Sequence, residues 1–396
     1  MGDPLFVDGL DLTVVLIVLF KVVLTFAFLM VAVMFMVWFE RKLISDMQNR
    51  IGPNRAGPWG LLQTLADGIK LFFKEDSKPD KADLTVFKLA PYLSLVPAFL
   101  TFAIIPVAGN FMDGGDGTIT LFGHTTYAQL ADPPIGILLA LAMSSVAVYG
   151  VMLAGWSSGS KYPLLGSVRA SAQMVSYEAA LGLSVATIVL LAGSLSTHTI
   201  VSTQSNYTWN LWAAGFVPFV IFLIASTAEL NRPPFDLVEA EQELVGGFHT
   251  EYSSIRFALF FLAEFMNTVT MSAIIVTLFF GGPTGPILFG PEWLWPPIWF
   301  FAKLGAFLFV FVWFRATLPR FRYDQLMDLG WKLLIPLALG WLLLIGAFRI
   351  ARDQDWNLAV VLAIAVVVLL IAASLLNGAI GAARRRREEE ETEAFS

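Results

Sequence analysis

A crowded set of acidic side chains lies in the segment 228–252, between two long apolar runs. Like charges this close raise the pKa of one another's carboxyl groups where water is scarce, which favours uptake and release of protons. A solvated acidic loop is the alternative, but membrane-length runs on both sides favour a proton-loading site. Only one cation, Arg232, accompanies six carboxylates, which are Glu229, Asp236, Glu239, Glu241, Glu243 and Glu251.

Proline and glycine residues divide this segment. Pro233-Pro234 removes two backbone donors and ends the preceding helix, and Gly246-Gly247 can end a short new one. In that new helix Glu239 and Glu243 would share a face, whereas Glu241 would point away. We therefore expect a short acidic helix within the loop.

The composition is that of a polytopic membrane protein. Of 396 residues, 57% are hydrophobic and only 14% are charged, and the mean hydropathy is +0.71. The absence of cysteine excludes disulfides, thiolate-bound iron–sulfur clusters and cysteine zinc sites. The three histidines lack paired spacing, which suggests neither haem nor zinc. Any redox reaction must therefore be carried by cofactors elsewhere.

Nine apolar runs are long enough to cross a bilayer whose hydrocarbon core is about 30 Å thick. They predict an all-α polytopic fold without the internal repeat that marks many transporters. The first run is too long for the core of a cleavable signal peptide. The runs lie at about 12–39, 89–108, 133–154, 173–194, 211–229, 257–280, 297–315, 330–348 and 356–377.

Lys and Arg are concentrated in every second loop. By the positive-inside rule, the amino terminus lies outside and the carboxy terminus in the cytoplasm. The tail, in which Arg384 to Arg387 precede Glu388 to Glu391, is typical of a stop-transfer charge block that runs into a disordered end. The basic loops are 40–88, 155–172, 229–256 and 315–332, and the loops without Lys or Arg are 109–132, 195–210 and 281–296.

Five ionisable residues inside predicted crossings require an explanation, because each costs about 2.5–3.5 kcal/mol on insertion scales. For Lys21 and Lys303 we favour a snorkelling side chain or one satisfied hydrogen bond. Glu178, Glu229 and Glu264 instead lie towards the cytoplasmic ends of their crossings and flank the acidic segment. We interpret these glutamates as a buried polar relay, whose coupled titration responds to a nearby change of charge.

A group of mixed charge lies beside a predicted amphipathic helix. After the Gly/Pro-rich loop 44–58, polar side chains recur on one helix face at Gln63, Asp67, Lys70 and Lys74. Such a helix lies along the membrane surface or packs on another subunit, and the sequence favours neither. These residues of mixed charge form either a functional site or the ordinary positive charge of a cytoplasmic loop with local ion pairs. They are Glu40, Arg41, Arg50, Arg55, Asp67 and Lys70.

Basic and aromatic residues alternate in the stretch 313–327. The pattern indicates a docking surface for a cytoplasmic partner, or a loop tied to the acids near 229–251. Nucleic-acid binding is disfavoured for a short loop at a membrane. Phosphate-loop, catalytic-triad and metal motifs are absent from the sequence. The charged residues of the stretch are Arg315, Arg320, Arg322 and Asp324.

Nine motifs follow one another between residues 12 and 348. They are Glu40-Arg41-Lys42, Gln48-Asn49-Arg50-Ile51-Gly52-Pro53-Asn54, Ala66-Asp67-Gly68-Ile69-Lys70, Leu153-Ala154-Gly155-Trp156, Ser160-Lys161-Tyr162, Ser176-Tyr177-Glu178, Glu229-Leu230-Asn231-Arg232-Pro233-Pro234-Phe235-Asp236, Glu239-Ala240-Glu241 and Arg315-Ala316-Thr317-Leu318-Pro319-Arg320. In this order they resemble the family of H subunits of bacterial NADH-quinone oxidoreductase, the respiratory complex I.

The resemblance implies a membrane subunit without a redox centre of its own, in a proton-translocating NADH:quinone oxidoreductase of the bacterial inner (cell) membrane. It would form much of the chamber in which the substrate, quinone, reaches an iron–sulfur cluster held by another subunit. FMN and the iron–sulfur clusters would all belong to partner subunits. The partners would be the quinone-site subunits of the peripheral arm, the small and antiporter-like membrane-arm subunits, quinone and membrane lipid.

The resemblance also assigns site residues by motif, none of them catalytic or metal-binding. The quinone-binding set is Glu40, Arg41, Arg50, Asp67, Lys70, Phe235 and Phe248. The proton path is Glu178, Glu229, Asp236, Glu239, Glu241, Glu243, Glu251 and Glu264. The residues that would dock the partner subunits are Arg55, Arg315, Arg320, Arg322 and Asp324.

Two features depart from the family. Some relatives carry a carboxylate in the third crossing, whereas none lies between Pro133 and Ser160 here. The ninth crossing extends an eight-helix core, so we expect a core at 1–348, an extra helix at 349–380 and a charged tail at 381–396. The alternative functions are the equivalent subunit of a membrane-bound hydrogenase or other-donor dehydrogenase, and a stand-alone ion transporter.

Overall fold

Membrane-length helices dominate the computed structural model, which describes residues 3–6, 9, 11–112, 114–204, 208–236, 245–357 and scattered positions between 360 and 381. Within these residues seven helices are long and apolar enough to cross a membrane, so the predicted all-α polytopic fold is confirmed. The short acidic helix expected before Gly246 and most of the ninth crossing lie outside the described residues.

The helices are α1 (Leu12–Met47), α2 (Gln63–Phe73), α3 (Leu84–Phe102), α4 (Gly136–Ser157), α5 (Lys161–Ala192), α6 (Thr197–Thr203), α7 (Asn210–Ala213), α8 (Phe216–Glu229), α9 (Ser254–Phe279), α10 (Trp295–Thr317), α11 (Tyr323–Asp328) and α12 (Ile335–Asp353), with a π-helical turn at Leu329–Leu334 before α12.

The first helix extends well beyond the bilayer. Its 36 residues correspond to about 54 Å at 1.5 Å per residue, whereas the hydrocarbon core is about 30 Å thick. The last turns of α1 therefore carry Glu40 and Arg41 to the edge of the membrane. There the predicted amphipathic helix, α2, packs across it. Thr64 Oγ1 donates to the carbonyl of Met34 at 3.2 Å.

The amphipathic helix keeps its apolar face uncovered. No residue of α2 is buried, and Leu65, Ile69 and Phe72 are each at least 51% exposed. Such a face is available to lipid or to another subunit, as the sequence predicts.

Close backbone contacts hold α3, α4 and α5 together. A Cβ atom on Gly150 of α4 would lie 2.3 Å from Ser94 Oγ of α3, and one on Gly155 would lie 2.3 Å from the carbonyl oxygen of Pro163 on α5. Glycine alone permits these approaches. The most buried of the seven long helices is α9. Within its apolar stretch, 72% of the residues are buried inside the protein, so the other elements are arranged around it.

The fifth predicted crossing is divided into two helices. Gly215, with a φ of 79°, separates α7 from α8. The 14 residues of α8 span only about 21 Å, which is less than the bilayer core of about 30 Å. After Glu229 the chain leaves the helix and continues as turns up to Asp236.

Two lysines within crossings are bound by several polar partners at the surface opposite to α2. Lys21 Nζ lies 3.2 Å from Asp3 and donates to Thr126 Oγ1 at 2.6 Å. Thr126 belongs to a hairpin in which β1 (Thr118–Leu121) pairs antiparallel with β2 (His124–Tyr127), and this hairpin was not predicted. Lys303 Nζ donates to the carbonyls of Phe280, Gly282 and Thr284. Each lysine therefore ties together segments of the chain at that surface.

Candidate functional site

A cavity of about 700 Å³ opens where α1 leaves the membrane. Its walls come from the end of α1, the loop 48–53, the first half of α9 and the end of α10. The apolar part of the wall includes Val37, Ile44, Phe261 and Phe265. The first and sixth predicted crossings therefore meet around one chamber, next to the amphipathic helix.

Charged side chains from the predicted quinone-binding set form the rim of this chamber. Arg41 Nη1 lies 2.7 Å from Asp67 of α2, which connects the chamber wall to the amphipathic helix. Lys70 approaches the same carboxylate at 4.0 Å, and Gln63 donates to it at 3.2 Å. Arg50 lines the cavity and donates to Gln48 at 2.7 Å. The rim is positive overall and open to water.

An ion network begins at Glu40 on the cavity wall and continues into the protein. Glu40 is only 6% exposed, and its Oε2 accepts from Arg232 Nη1 at 3.0 Å. Arg232 Nε lies 3.1 Å from Glu264 Oε1, and the guanidinium also stacks over the ring of Phe265 at 4.4 Å. Arg315 Nη1 donates to Glu40 Oε1. Buried charges are retained when they are paired, and Arg232 lies within 3.1 Å of a carboxylate oxygen of both Glu40 and Glu264.

The segment that follows α8 is unwound and buried. Backbone groups at membrane depth must find partners within the protein. Gln173, a fully buried residue of α5, donates to the carbonyls of Ala228 at 2.7 Å and Phe235 at 2.8 Å. It also donates to Asn231 Oδ1 at 3.2 Å. One amide thus fixes the path of the chain through the acidic motif.

The loop after α10 packs against the same segment. Arg320 Nη2 lies 3.0 Å from Asp236, and the backbone N–H of Phe321 donates to the carbonyl of Pro234 at 3.0 Å. Phe235 is buried between the rings of Tyr177 and Phe321, at centroid distances of 5.4 and 5.5 Å. Two residues predicted to dock partners, Arg315 and Arg320, therefore bind acids of this chain.

Two small cavities continue inward from Glu229. One, of about 70 Å³, is lined by Glu229, Phe248, Glu264 and Ser94. The other, of about 40 Å³, is lined by Glu229 together with Ser144 and Thr270. Three buried oxygens on these walls have no hydrogen-bond partner among the described residues; they are Glu229 Oε2, Ser94 Oγ and Thr270 Oγ1.

Adjacent serines of α4 bind the two inner glutamates. Ser144 donates to Glu229 Oε1, and Ser145 donates to Glu178 Oε1. Because successive residues of a helix point about 100° apart, α4 can contact Glu229 of α8 with one serine and Glu178 of α5 with the other. Both serines belong to the third predicted crossing, which has no carboxylate between Pro133 and Ser160.

The remaining predicted residues lie further out. Glu251 is half-buried in the turn before α9, and Arg55 is exposed. Arg322 and Asp324 form an exposed pair at 3.2 Å. Glu239, Glu241 and Glu243 lie outside the described residues. In the described part of the chain, no group of three His, Asp or Glu residues could hold a metal ion.

Sequence reasoning did not identify Gln173, Ser144 or Ser145 as part of the site. The available signal was a polar residue within an apolar run: Gln173 stands three residues before Ser176, and the two serines occupy an otherwise apolar crossing. Arg232 was noted as a cation among acids, but its partners Glu40 and Glu264 were not predicted.

The fold and the site define a polytopic membrane protein whose ionisable interior opens at one membrane surface. A family model described as NADH dehydrogenase matches residues 20–346. Proteins named as the H subunit of NADH-quinone oxidoreductase are similar over most of their length: the one from Streptomyces avermitilis is 50% identical over 350 residues, covering 86% of this chain and 75% of the relative. The one from Frankia alni is 54% identical over 344 residues, covering 85% and 74%. The chain belongs to this family, the H subunits of NADH-quinone oxidoreductase.

Proposed function

We propose that this chain admits quinone from the bilayer into a proton-translocating NADH:quinone oxidoreductase and carries an acidic path that couples quinone reduction to proton pumping. The observation that supports this most directly is the chamber of about 700 Å³, where Glu40 on the wall is linked through Arg232 to Glu264. NADH oxidation, FMN and the iron–sulfur clusters belong, in this proposal, to partner subunits.

The chamber has an apolar wall and a charged rim, which match the apolar tail and the polar head group of a quinone. The isoprenoid tail is apolar and can lie against Val37, Phe261 and Phe265, which come from the two crossings that frame the opening. The head group is polar and gains charge or protons when it is reduced. The rim residues Arg41 and Arg50 would attract it through charge and hydrogen bonds.

The magnitude of the electrostatic coupling supports a charge relay. A unit charge appearing about 4 Å from a carboxylate changes its energy by about 4 kcal/mol at an effective dielectric constant of about 20. Moving one proton against 100 mV costs about 2.3 kcal/mol. A charge change in the chamber is thus large enough to alter the proton occupancy of neighbouring acids.

The inner end of the path would run through Glu229, Ser144, Ser145 and Glu178. Hydroxyl groups both donate and accept hydrogen bonds, so they can replace a carboxylate as a link in a proton path. Water is the natural partner of the three unsatisfied buried oxygens, because cavities of this size hold a water molecule when two to four polar groups are present. Asp236, Glu251 and the residues Glu239, Glu241 and Glu243 would extend the path towards the cytoplasm.

The proposed orientation places the amino terminus outside the bacterial inner membrane and the basic loops in the cytoplasm, where they would contact the quinone-site subunits of the peripheral arm. Arg55, Arg322 and Asp324 are exposed and available for that contact. The other membrane-arm subunits would receive the protons.

The experiment compares Glu229→Gln and Glu241→Gln in the assembled enzyme. Both variants should reduce quinone-coupled NADH oxidation and proton pumping by about a hundredfold, as expected for a group that carries a transferred proton, while cluster reduction by NADH stays intact. Ser144→Ala, which removes a hydrogen bond to a carboxylate, should slow pumping less. Glu292→Gln, an exposed acid on the opposite surface, is the control. Normal pumping in Glu229→Gln would contradict the acidic path.

A further inference from the structure

An apolar groove lies between α4, α5 and α12, away from the charge network. Its volume is about 340 Å³, and every residue that lines it is apolar. The floor is a stripe of α5 that includes Gly182, Val185, Ala186 and Val189, which share one helix face by their spacing. A Cβ atom on Gly182 would meet nothing within 4 Å, so glycine leaves the groove open there.

The lining of the groove indicates the kind of molecule that fills it. Every lining side chain is apolar, so the groove offers its occupant no side-chain hydrogen bond. A hydrocarbon chain needs no polar partner, and the bilayer supplies it at high concentration.

A guanidinium group stands at one end of the groove. Arg349 of α12 is half-buried, and its Nη1 donates to the carbonyls of Leu190 and Leu191. Leu190 also lines the groove, as does Leu342 of α12. Leu342 and Arg349 are seven residues apart and share a helix face, with a rise of about 10.5 Å between them. The guanidinium is therefore near the membrane surface when the groove is within the hydrocarbon.

We propose that this groove is a phospholipid site, in which one acyl chain fills the apolar channel and the phosphate group contacts Arg349. Arginine matches phosphate oxygens with several donors in a fixed plane. Arg352 is exposed one turn further along α12 and adds positive charge at the same end. None of its residues lines the chamber, whereas Ile137, Leu141 and Val185 also line the cavity of about 40 Å³ beside Glu229.

The test uses the purified assembly that contains this chain, in vesicles with a phospholipid that carries a photoreactive group in its acyl chain. Cross-linked peptides are then quantified by mass spectrometry. Gly182→Leu fills the groove and should reduce cross-linking to residues 182–195 by about tenfold, equivalent to about 1.4 kcal/mol. The matched control is Gly305→Leu in α10, where a Cβ atom also meets nothing within 4 Å; it should leave the signal unchanged.

Variants of the arginine test the head-group contact. Arg349→Gln should reduce cross-linking, whereas Arg349→Lys, which keeps the charge, should retain most of it. If Gly182→Leu does not assemble, Ala186→Met fills the groove from the next turn. Equal cross-linking in the Gly182→Leu and Gly305→Leu variants would overturn the proposal. Capture of a neighbouring subunit by a photoreactive residue in place of Leu138, with no lipid cross-link in the groove, would also overturn it.

Discussion

The guanidinium of Arg232 lies 3.0 Å from the carboxylate of Glu40, although 192 residues separate them in the chain. The same side chain lies 3.1 Å from Glu264 on α9 and is only 3% exposed. One arginine thus joins an acid of the chamber wall to an acid of the central helix. In the proposed mechanism, a change of charge in the chamber would reach the interior through Arg232.

Replacing Arg232 by methionine should destabilise the assembly and stop quinone-coupled turnover. Removing one partner of a buried pair leaves an uncompensated charge, at a cost of about 3–5 kcal/mol. Thermal inactivation of the assembly measures the first effect, and NADH:quinone activity measures the second. Glu40 keeps its pair with Arg315, so adding Glu264→Gln, which removes the other charge of the Arg232–Glu264 pair, should recover stability but not activity. An Arg232→Met protein as stable as the wild type would show that the pair is not buried.

Replacing Gln173 by leucine should loosen the unwound segment after α8. The carbonyls of Ala228 and Phe235 lose their donor, and each unsatisfied buried group costs about 1–3 kcal/mol. Hydrogen exchange of the amides in residues 230–236 should accelerate, with loss of proton pumping. The matched control is Gln204→Leu, because Gln204 is equally buried and bonds to the carbonyl of Thr277 near the opposite surface. That variant should lower stability without accelerating exchange at 230–236.

Replacing Arg41 by alanine should weaken quinone binding without affecting stability. The Arg41–Asp67 pair is partly exposed, with side-chain exposures of 44% and 28%, and such pairs contribute about 0–1 kcal/mol. The KM for quinone should therefore rise while the inactivation temperature stays constant. The exchange Arg41→Asp with Asp67→Arg restores the pair but reverses the charge on the cavity wall. Recovery of KM in that double variant would contradict a role for the positive rim.

The hairpin opposite to α2 should lose stability below about pH 6.5. His198 lies on α6, outside the membrane-spanning helices, and its ring is 3.9 Å from that of Tyr127. Burial lowers the pKa of His198, opposed in part by the carboxylate of Asp132. Because the folded pKa is below the unfolded one, the unfolded form takes up a proton first as the pH falls. The contribution to stability is complete above the unfolded pKa and is lost as the pH falls towards the folded one.

Hydrogen exchange of residues 118–127, corrected for intrinsic rates, measures this effect one pH unit above and below about 6.5. Protection should decrease at the lower pH. His198→Gln should remove the difference between the two conditions. The same pH dependence in that variant would assign the titration to another group.

Much of this fold could be predicted from local sequence patterns, namely the helical spacing of polar residues and the length and hydropathy of apolar runs. The amphipathic helix follows from polar residues at helical spacing around Asp67, and the crossings follow from their length and hydropathy. The end of α8 at Glu229 agrees with the predicted end of the fifth crossing before the two prolines. The break at Gly215 was not predicted, since hydropathy continues through it and does not reveal that α8 has only 14 residues.

The membership of the candidate site was more predictable than its pairings. Glu40, Arg41, Arg50 and Asp67 were assigned from motifs, and they line or adjoin one chamber. Long-range contacts such as that between Gln173 and Ala228 depend on which helices become neighbours. A single sequence contains no local signal for such pairs, because their residues are far apart in the chain.

The shortness of α8 also has a consequence for how the protein is made. A segment that leaves the helix exposes carbonyl groups, and here also a cation, which need partners within the protein. Gln173 of α5 and Glu40 of α1 are already present when α8 is synthesised, whereas Glu264 arrives only with α9. The ion network around Arg232 is therefore complete only after α9 has been translated.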